Sequence, residues 1–75
     1  MRVRVILFGG LRRLVGRRET DLDLEAASSV SAAIQSLGVP LEVVGLAVVN
    51  GEVAPLDTAL ADDDELAIFS PVAGG

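Results

Sequence analysis

The 75-residue sequence contains no cysteine, no histidine, no lysine, no tyrosine and no tryptophan, and it has only two phenylalanines. Each absence removes a class of chemistry. Without cysteine there can be no disulfide, no thiolate metal site and no reactive side-chain sulfur. Without histidine or lysine, the commonest general base and the Schiff-base amine are both missing. Serine, threonine and carboxylates remain, and an enzyme active on its own is not expected from that set. Positive charge is also scarce: six arginines stand against eleven acidic residues, a net charge of -5. That balance disfavours nucleic acid as a partner, because phosphate contacts need clustered Lys or Arg. No apolar run approaches the ~18 residues of a membrane span. The N-terminus alternates Arg with Val and lacks the apolar core of a signal peptide. The expectation is a cytoplasmic protein with no membrane and no nucleic-acid partner.

What is present is an apolar content of 51% in a chain long enough for one domain. A domain this small buries only about 60% of the surface its unfolded chain exposes, so a high apolar content is needed for a core without staples. The charges are segregated along the chain. All six basic residues (Arg2, Arg4, Arg12, Arg13, Arg17, Arg18) precede the first acidic one, Glu19.

The segment Arg2–Phe8 alternates as a strand does, with Val3, Val5 and Leu7 on one face and Arg2, Arg4, Ile6 and Phe8 on the other. Gly9-Gly10 ends it, and residues 11–16 form a connector with a helical turn stopped by Gly16. Thr20–Leu24 alternates again, Leu22 and Leu24 against Asp21 and Asp23. A hairpin of these two strands sets the Asp row against the Arg row and accounts for the charge segregation without any partner. Ser29 is a natural N-cap for a helix over 30–37, with Val30, Ala33, Ile34 and Leu37 on one face. Gly38 and Pro40 stop it. Leu46–Val49 reads as a buried strand, Asn50-Gly51 as a hairpin turn, and Glu52–Ala54 as a short return strand. The loop 56–65 carries an acidic run, Asp62–Glu65, whose spacing is not that of an EF-hand; a solvated turn is expected rather than a calcium site. Leu66–Phe69 is the last strand, and Pro71 breaks its ladder.

One helix cannot cover both sides of a sheet. The expected fold is therefore α+β, a mixed sheet of four to five strands with the helix packed across one face. Val3, Val5, Leu7, Leu22, Leu24, Leu66 and Ile68 would face Val30, Ala33, Ile34 and Leu37. The same alternation sends Ile6, Phe8, Ala67 and Phe69 to the opposite face, beside the root of the tail, with the short strand of Val53 at its border. An exposed apolar patch that gathers both aromatic residues is a candidate docking surface. Phe8, Val53 and Phe69 are its expected contacts, with Arg12 or Arg13 at the rim.

This element order resembles the β-grasp fold of ubiquitin-like proteins. Three stretches extend the resemblance to the MoaD/ThiS family of sulfur carriers, which includes the small subunit of molybdopterin synthase. They are Leu7–Gly16, Val49-Asn50-Gly51 followed by Leu56, and the ending Asp64-Glu65-Leu66-Ala67-Ile68-Phe69-Ser70-Pro71-Val72-Ala73-Gly74-Gly75. The sequence departs from the family pattern at Asp63, where a Gly is usual. It departs again at Ser70, which replaces the first of two prolines, and at Gly9 and Gly10, which replace bulkier loop residues. The resemblance implies a β-grasp domain over residues 1–70 and a flexible C-terminal tail over 71–75.

It also implies a mechanism. An E1-like adenylyltransferase would spend ATP to adenylate the carboxylate of Gly75, and sulfur would then replace AMP to give a thiocarboxylate. The chain binds no cofactor or metal of its own in this reading; ATP is used by the activating partner. Gly74 keeps access to Gly75 open, because glycine has no Cβ and threads a narrow channel. Pro71, Val72 and Ala73 would contact partners along the tail, and Pro71 limits slack at its root. The large subunit of molybdopterin synthase would hold the precursor pterin that accepts sulfur. A carrier for another pathway, a ubiquitin-like protein modifier joined to targets through Gly75, and a plain interaction domain remain alternatives.

Overall fold

The computed structural model describes residues 1–71. Five strands and two helices follow one another along the chain. They are β1 (Arg2–Phe8), α1 (Gly10–Val15), β2 (Glu19–Asp23), α2 (Val30–Ser36), β3 (Leu46–Val49), β4 (Glu52–Val53) and β5 (Glu65–Phe69). A single 3₁₀ turn, Leu41–Val43, connects α2 to β3. The strands form one mixed sheet in the order β2-β1-β5-β3-β4. β1 and β5 run parallel at its centre, and the other pairs are antiparallel. This is the β-grasp layout.

The strict alternation of β1 fixes its register. Val3, Val5 and Leu7 are fully buried, and their partners on β5, Leu66 and Ile68, share that face. Val30, Ala33 and Ile34 of α2 complete the buried layer from the other side. The Ser29 hydroxyl caps α2 by accepting from the Ala32 N–H at 3.1 Å. The hairpin forms as its charges demand: Arg2 lies opposite Asp23 and Arg4 opposite Asp21. Both ion pairs measure 3.7 Å and are exposed. Such pairs contribute little stability, and their value here is to keep the register and solubility of an outer face.

The structure differs from the sequence-based expectation in four respects. The helical turn expected after β1 is a six-residue helix, ended by Gly16 at φ 83° as expected, but its Leu11, not assigned to the core from sequence, is buried at 1% exposure. Val39 and Leu60 are also buried, whereas in β3, read from sequence as a buried strand, only Ala47 is buried and Leu46 is 42% exposed. Leu60 is drawn in because the loop after β4 doubles back onto α2: a bridge joins Ser29 to Ala59, and the Leu60 N–H donates to Ser28 O at 2.8 Å. Leu22 and Leu24 are only half-buried, since β2 is an edge strand and the seven-residue α2 is too short to cover both edges. The acidic run is not merely solvated. Asp62 accepts from the Arg2 N–H at 2.7 Å. Asp64 accepts from Asn50 Nδ2 and the Ala61 N–H, both at 2.8 Å. These carboxylates tie the β3–β4 turn and the start of β1 to β5. Among the described residues no acidic group is arranged to hold a metal ion.

Candidate functional site

Among the described residues, the face of the sheet opposite α2 has no helix against it. Its side chains are the outward-pointing members of each strand, and the register aligns them in rows. One row crosses Phe8, Phe69 and Leu46; the next crosses Ile6, Ala67, Val48 and Val53. The Phe8 and Phe69 rings stack with centroids 4.4 Å apart and planes 6° from parallel. Each ring shields the other, so both are half-buried on a face that nothing covers among the described residues. Val53 is 69% exposed and Leu46 42% exposed. Further along β1 and β5 the rows turn charged, at Arg4 and Glu65 and then Arg2. The apolar patch therefore lies at the end of the sheet from which the chain leaves β5.

Arginines border this end. A recess of about 400 Å³ is lined by Ile6, Leu7, Phe8, Arg12, Arg18 and Glu19. A second, of about 440 Å³, is lined by Gly9, Gly10, Arg12 and Arg13. Phe8 thus has a cationic border on the α1 side.

The exit from β5 is narrow. The Phe69 carbonyl accepts from the Gly45 N–H at 2.7 Å. A Cβ on Gly45 would fall 2.8 Å from Pro71 Cα and 2.9 Å from Pro71 N, a separation that no side chain permits. On the other side the Gly10 N–H donates to Ser70 Oγ at 3.3 Å. Gly9, at φ 61°, leaves the space that Ser70 Oγ occupies. Ser70 and Pro71 therefore pass between two loops that carry glycine where they touch the chain.

Of the residues singled out from sequence, Phe8, Val53 and Phe69 share one face, Arg12 stands at its border, and Pro71 marks the exit. Val72, Ala73, Gly74 and Gly75 lie outside the described residues. Leu46 and Val48 were missed because Leu46–Val49 reads as a uniformly apolar strand; alternation from buried Ala47 would have turned both outward. Gly45 and Ser70 were missed because their importance is a close approach between distant segments, which no local pattern encodes. The patch and exit contain no cluster of acid, base and nucleophile. What they can do is dock a partner and present a chain end to it.

A profile of the ThiS family matches residues 5–75. The chain belongs to the ThiS family. Its relatives of known structure are ubiquitin-like, and the chain is a ubiquitin-like sulfur carrier in type. SAMP1 from Haloferax volcanii is 31% identical over 100% of both chains, with a TM-score of 0.83. A putative molybdopterin converting factor subunit 1 from Pyrococcus furiosus is 25% identical, covering 96% of this chain and 99% of its own, with a TM-score of 0.80. A chain from the complex of subunits 1 and 2 of the molybdopterin-converting factor from Helicobacter pylori 26695 is 25% identical over 100% of both chains, with a TM-score of 0.65. No curated protein matches the sequence. Among the described residues, no helix is long and apolar enough to cross a membrane.

Proposed function

We propose that this ThiS-family chain is the sulfur-donating small subunit of a molybdopterin synthase. An E1-like enzyme adenylates the Gly75 carboxylate with ATP and releases pyrophosphate. Hydrosulfide, or a persulfide acting with a reductant, then displaces AMP and leaves the thiocarboxylate. The logic is that of any acyl activation: a free carboxylate is a poor electrophile and its mixed anhydride with AMP a good one. The thiocarboxylate sulfur, a soft nucleophile, attacks a carbon of the precursor pterin held by the large subunit and displaces an oxygen leaving group; water then hydrolyses the resulting thioester, leaving the sulfur on the pterin and regenerating the Gly75 carboxylate. All acid–base work falls to the partners, since the chain lacks His, Lys and Cys.

The observation that carries this reading is the apolar face of Phe8, Phe69, Leu46 and Val53 beside the exit of β5. A partner seated there lies next to the root of the segment that ends in Gly75. Two relatives support the molybdenum branch through their names: a putative molybdopterin converting factor subunit 1, and a chain from a complex with subunit 2.

The test is the intact mass of the chain after incubation with its E1-like enzyme, ATP and sulfide. Exchange of one oxygen for sulfur at the C-terminus, abolished by deletion of Gly75, is the expected result. Addition of the large subunit and precursor pterin should then return the mass to that of the carboxylate. A second reading is favoured by the 31% identity to SAMP1, a small archaeal modifier protein: Gly75 is joined to the amine of a target protein. It predicts higher-mass conjugates in cell extract that disappear on deletion of Gly75.

A further inference from the structure

The geometry points to Ser70 as a positioning residue, whose hydroxyl clamps the root of the tail and sets the direction in which Gly75 is delivered to partner enzymes. This rests on the proposed function only for its final readout.

Three observations converge on Ser70. First, its Oγ accepts from the Gly10 N–H at 3.3 Å, across a sequence separation of 60 residues. Second, the loop supplying that N–H has no Cβ at Gly9, where one would collide with Ser70 Oγ. Gly9 sits at φ 61° and ψ -139°, a backbone conformation essentially confined to glycine. Third, the opposite wall is Gly45, whose missing Cβ lets the Pro71 backbone pass within van der Waals contact. The chain is thus gripped on one side by a hydrogen bond and on the other by backbone packing. Neither contact has a role in the core: Ser70 is half-buried, and Gly9, Gly10 and Gly45 are exposed.

The arrangement also joins two features that look unrelated in sequence, Ser70 and the Gly9-Gly10 pair. Proline at position 70 would hold the chain through its ring, which locks φ near -65°. Serine gives up that covalent restraint. The Gly9-Gly10 pair supplies the space and the donor for a hydrogen-bonded one. Pro71 follows at once, and its ring restricts φ at the last described residue.

The experiment compares Ser70→Ala, Ser70→Thr and Ser70→Pro in the full chain. The first readout is the isolated protein: amide hydrogen exchange at Gly10 and ¹⁵N relaxation at Ser70 and Val72. Ser70→Ala should speed exchange at Gly10 severalfold and raise the mobility at Val72. Ser70→Thr, which keeps a hydroxyl, should restore both. Ser70→Pro should leave Gly10 exchange fast yet return Val72 to wild-type mobility. The second readout is adenylation by the E1-like enzyme. Ser70→Ala should raise KM about two- to fivefold with kcat held within twofold, and Ser70→Thr and Ser70→Pro should restore KM. A simple loss of stability would shift the melting temperature without this split or this rescue. If Ser70→Ala matches wild type at Gly10 and Val72, the clamp is overturned. If Val72 is freed but KM is unmoved on an adenylated chain, the delivery role is overturned. Should wild type itself fail to be adenylated, the proposed function falls and the relaxation arm still decides the clamp.

Discussion

At the scale of single residues, three positions other than glycine hold a positive φ among the described residues: Ala27 at 64°, Asn50 at 50° and Asp63 at 68°. Asn and Asp tolerate the left-handed region through short polar side chains, but alanine does not. Ala27 occupies the third position of the turn in which the Ser28 N–H donates to Glu25 O at 3.1 Å. Left-handed geometry costs an L-residue roughly 1–2 kcal/mol, and a new glycine returns about 0.4–1 kcal/mol to the unfolded state. Ala27→Gly should therefore stabilise the fold by about 0.5 kcal/mol, a rise of about 2–4 °C in Tm by thermal unfolding. Gly45→Ala should act in the other direction. Its Cβ meets the Pro71 backbone, not a yielding side-chain tip, so strain of about 1–3 kcal/mol is expected in urea unfolding. Sequence made these left-handed turns only partly visible: Asn50-Gly51 announces its turn, whereas Ala26-Ala27 announces nothing. Gly45 could not be read at all, because the segment it admits lies 26 positions further along.

At the scale of elements, the readable pieces were those with a local code. The alternation of β1, the Ser29 cap of α2 and the Asn50-Gly51 hairpin each carry their instruction within a few residues. Ser29→Ala should cost about 1 kcal/mol, measured by chemical denaturation, because it orphans the Ala32 N–H. The pieces that were missed are held by contacts between distant segments. Leu60 enters the core only because its loop lies against α2, and Leu11 only because α1 folds back beside β1 and β5. The acidic run has the same character. Asp64 accepts from Asn50 and Ala61, and Asn50 Oδ1 in turn accepts from the Glu65 N–H at 2.9 Å. Asp64→Ala removes two bonds to a charged acceptor and should destabilise by about 1–2 kcal/mol. If a metal held the run instead, adding calcium would raise Tm; no such rise is expected.

At the scale of the whole molecule, a one-sided core and a segregated charge distribution produce a domain with distinct surfaces. The outer face is apolar near the exit of β5 and bordered there by Arg12, Arg13 and Arg18. Val53 is largely exposed and supports little of the core. Val53→Asp should change stability by no more than about 0.5 kcal/mol, while weakening association with the large subunit of the proposed synthase at least tenfold by calorimetry. The arginines should act mainly on the rate of encounter. If the partner's facing surface is acidic, Arg13→Ala combined with Arg18→Ala should slow association and flatten its salt dependence, with dissociation little changed, in surface-based kinetics. That the outer face was legible from period-2 alternation, and the exit collar was not, follows from the same physics. A face is a repeat of one local rule, and a collar is a meeting of two loops with the segment that passes between them.

The confinement of every basic residue to the β1–β2 hairpin and α1 also bears on how the protein would be detected. Trypsin cuts only after Arg or Lys, and the last such residue is Arg18. Digestion therefore leaves residues 19–75 as one acidic peptide. A target protein joined to Gly75 would carry that whole peptide as its remnant, and a search for the short glycine stub left by other modifiers would pass over it. A protease that cleaves at acidic residues would instead cut after Glu65 and leave a remnant of ten residues, Leu66 to Gly75, short enough to sequence.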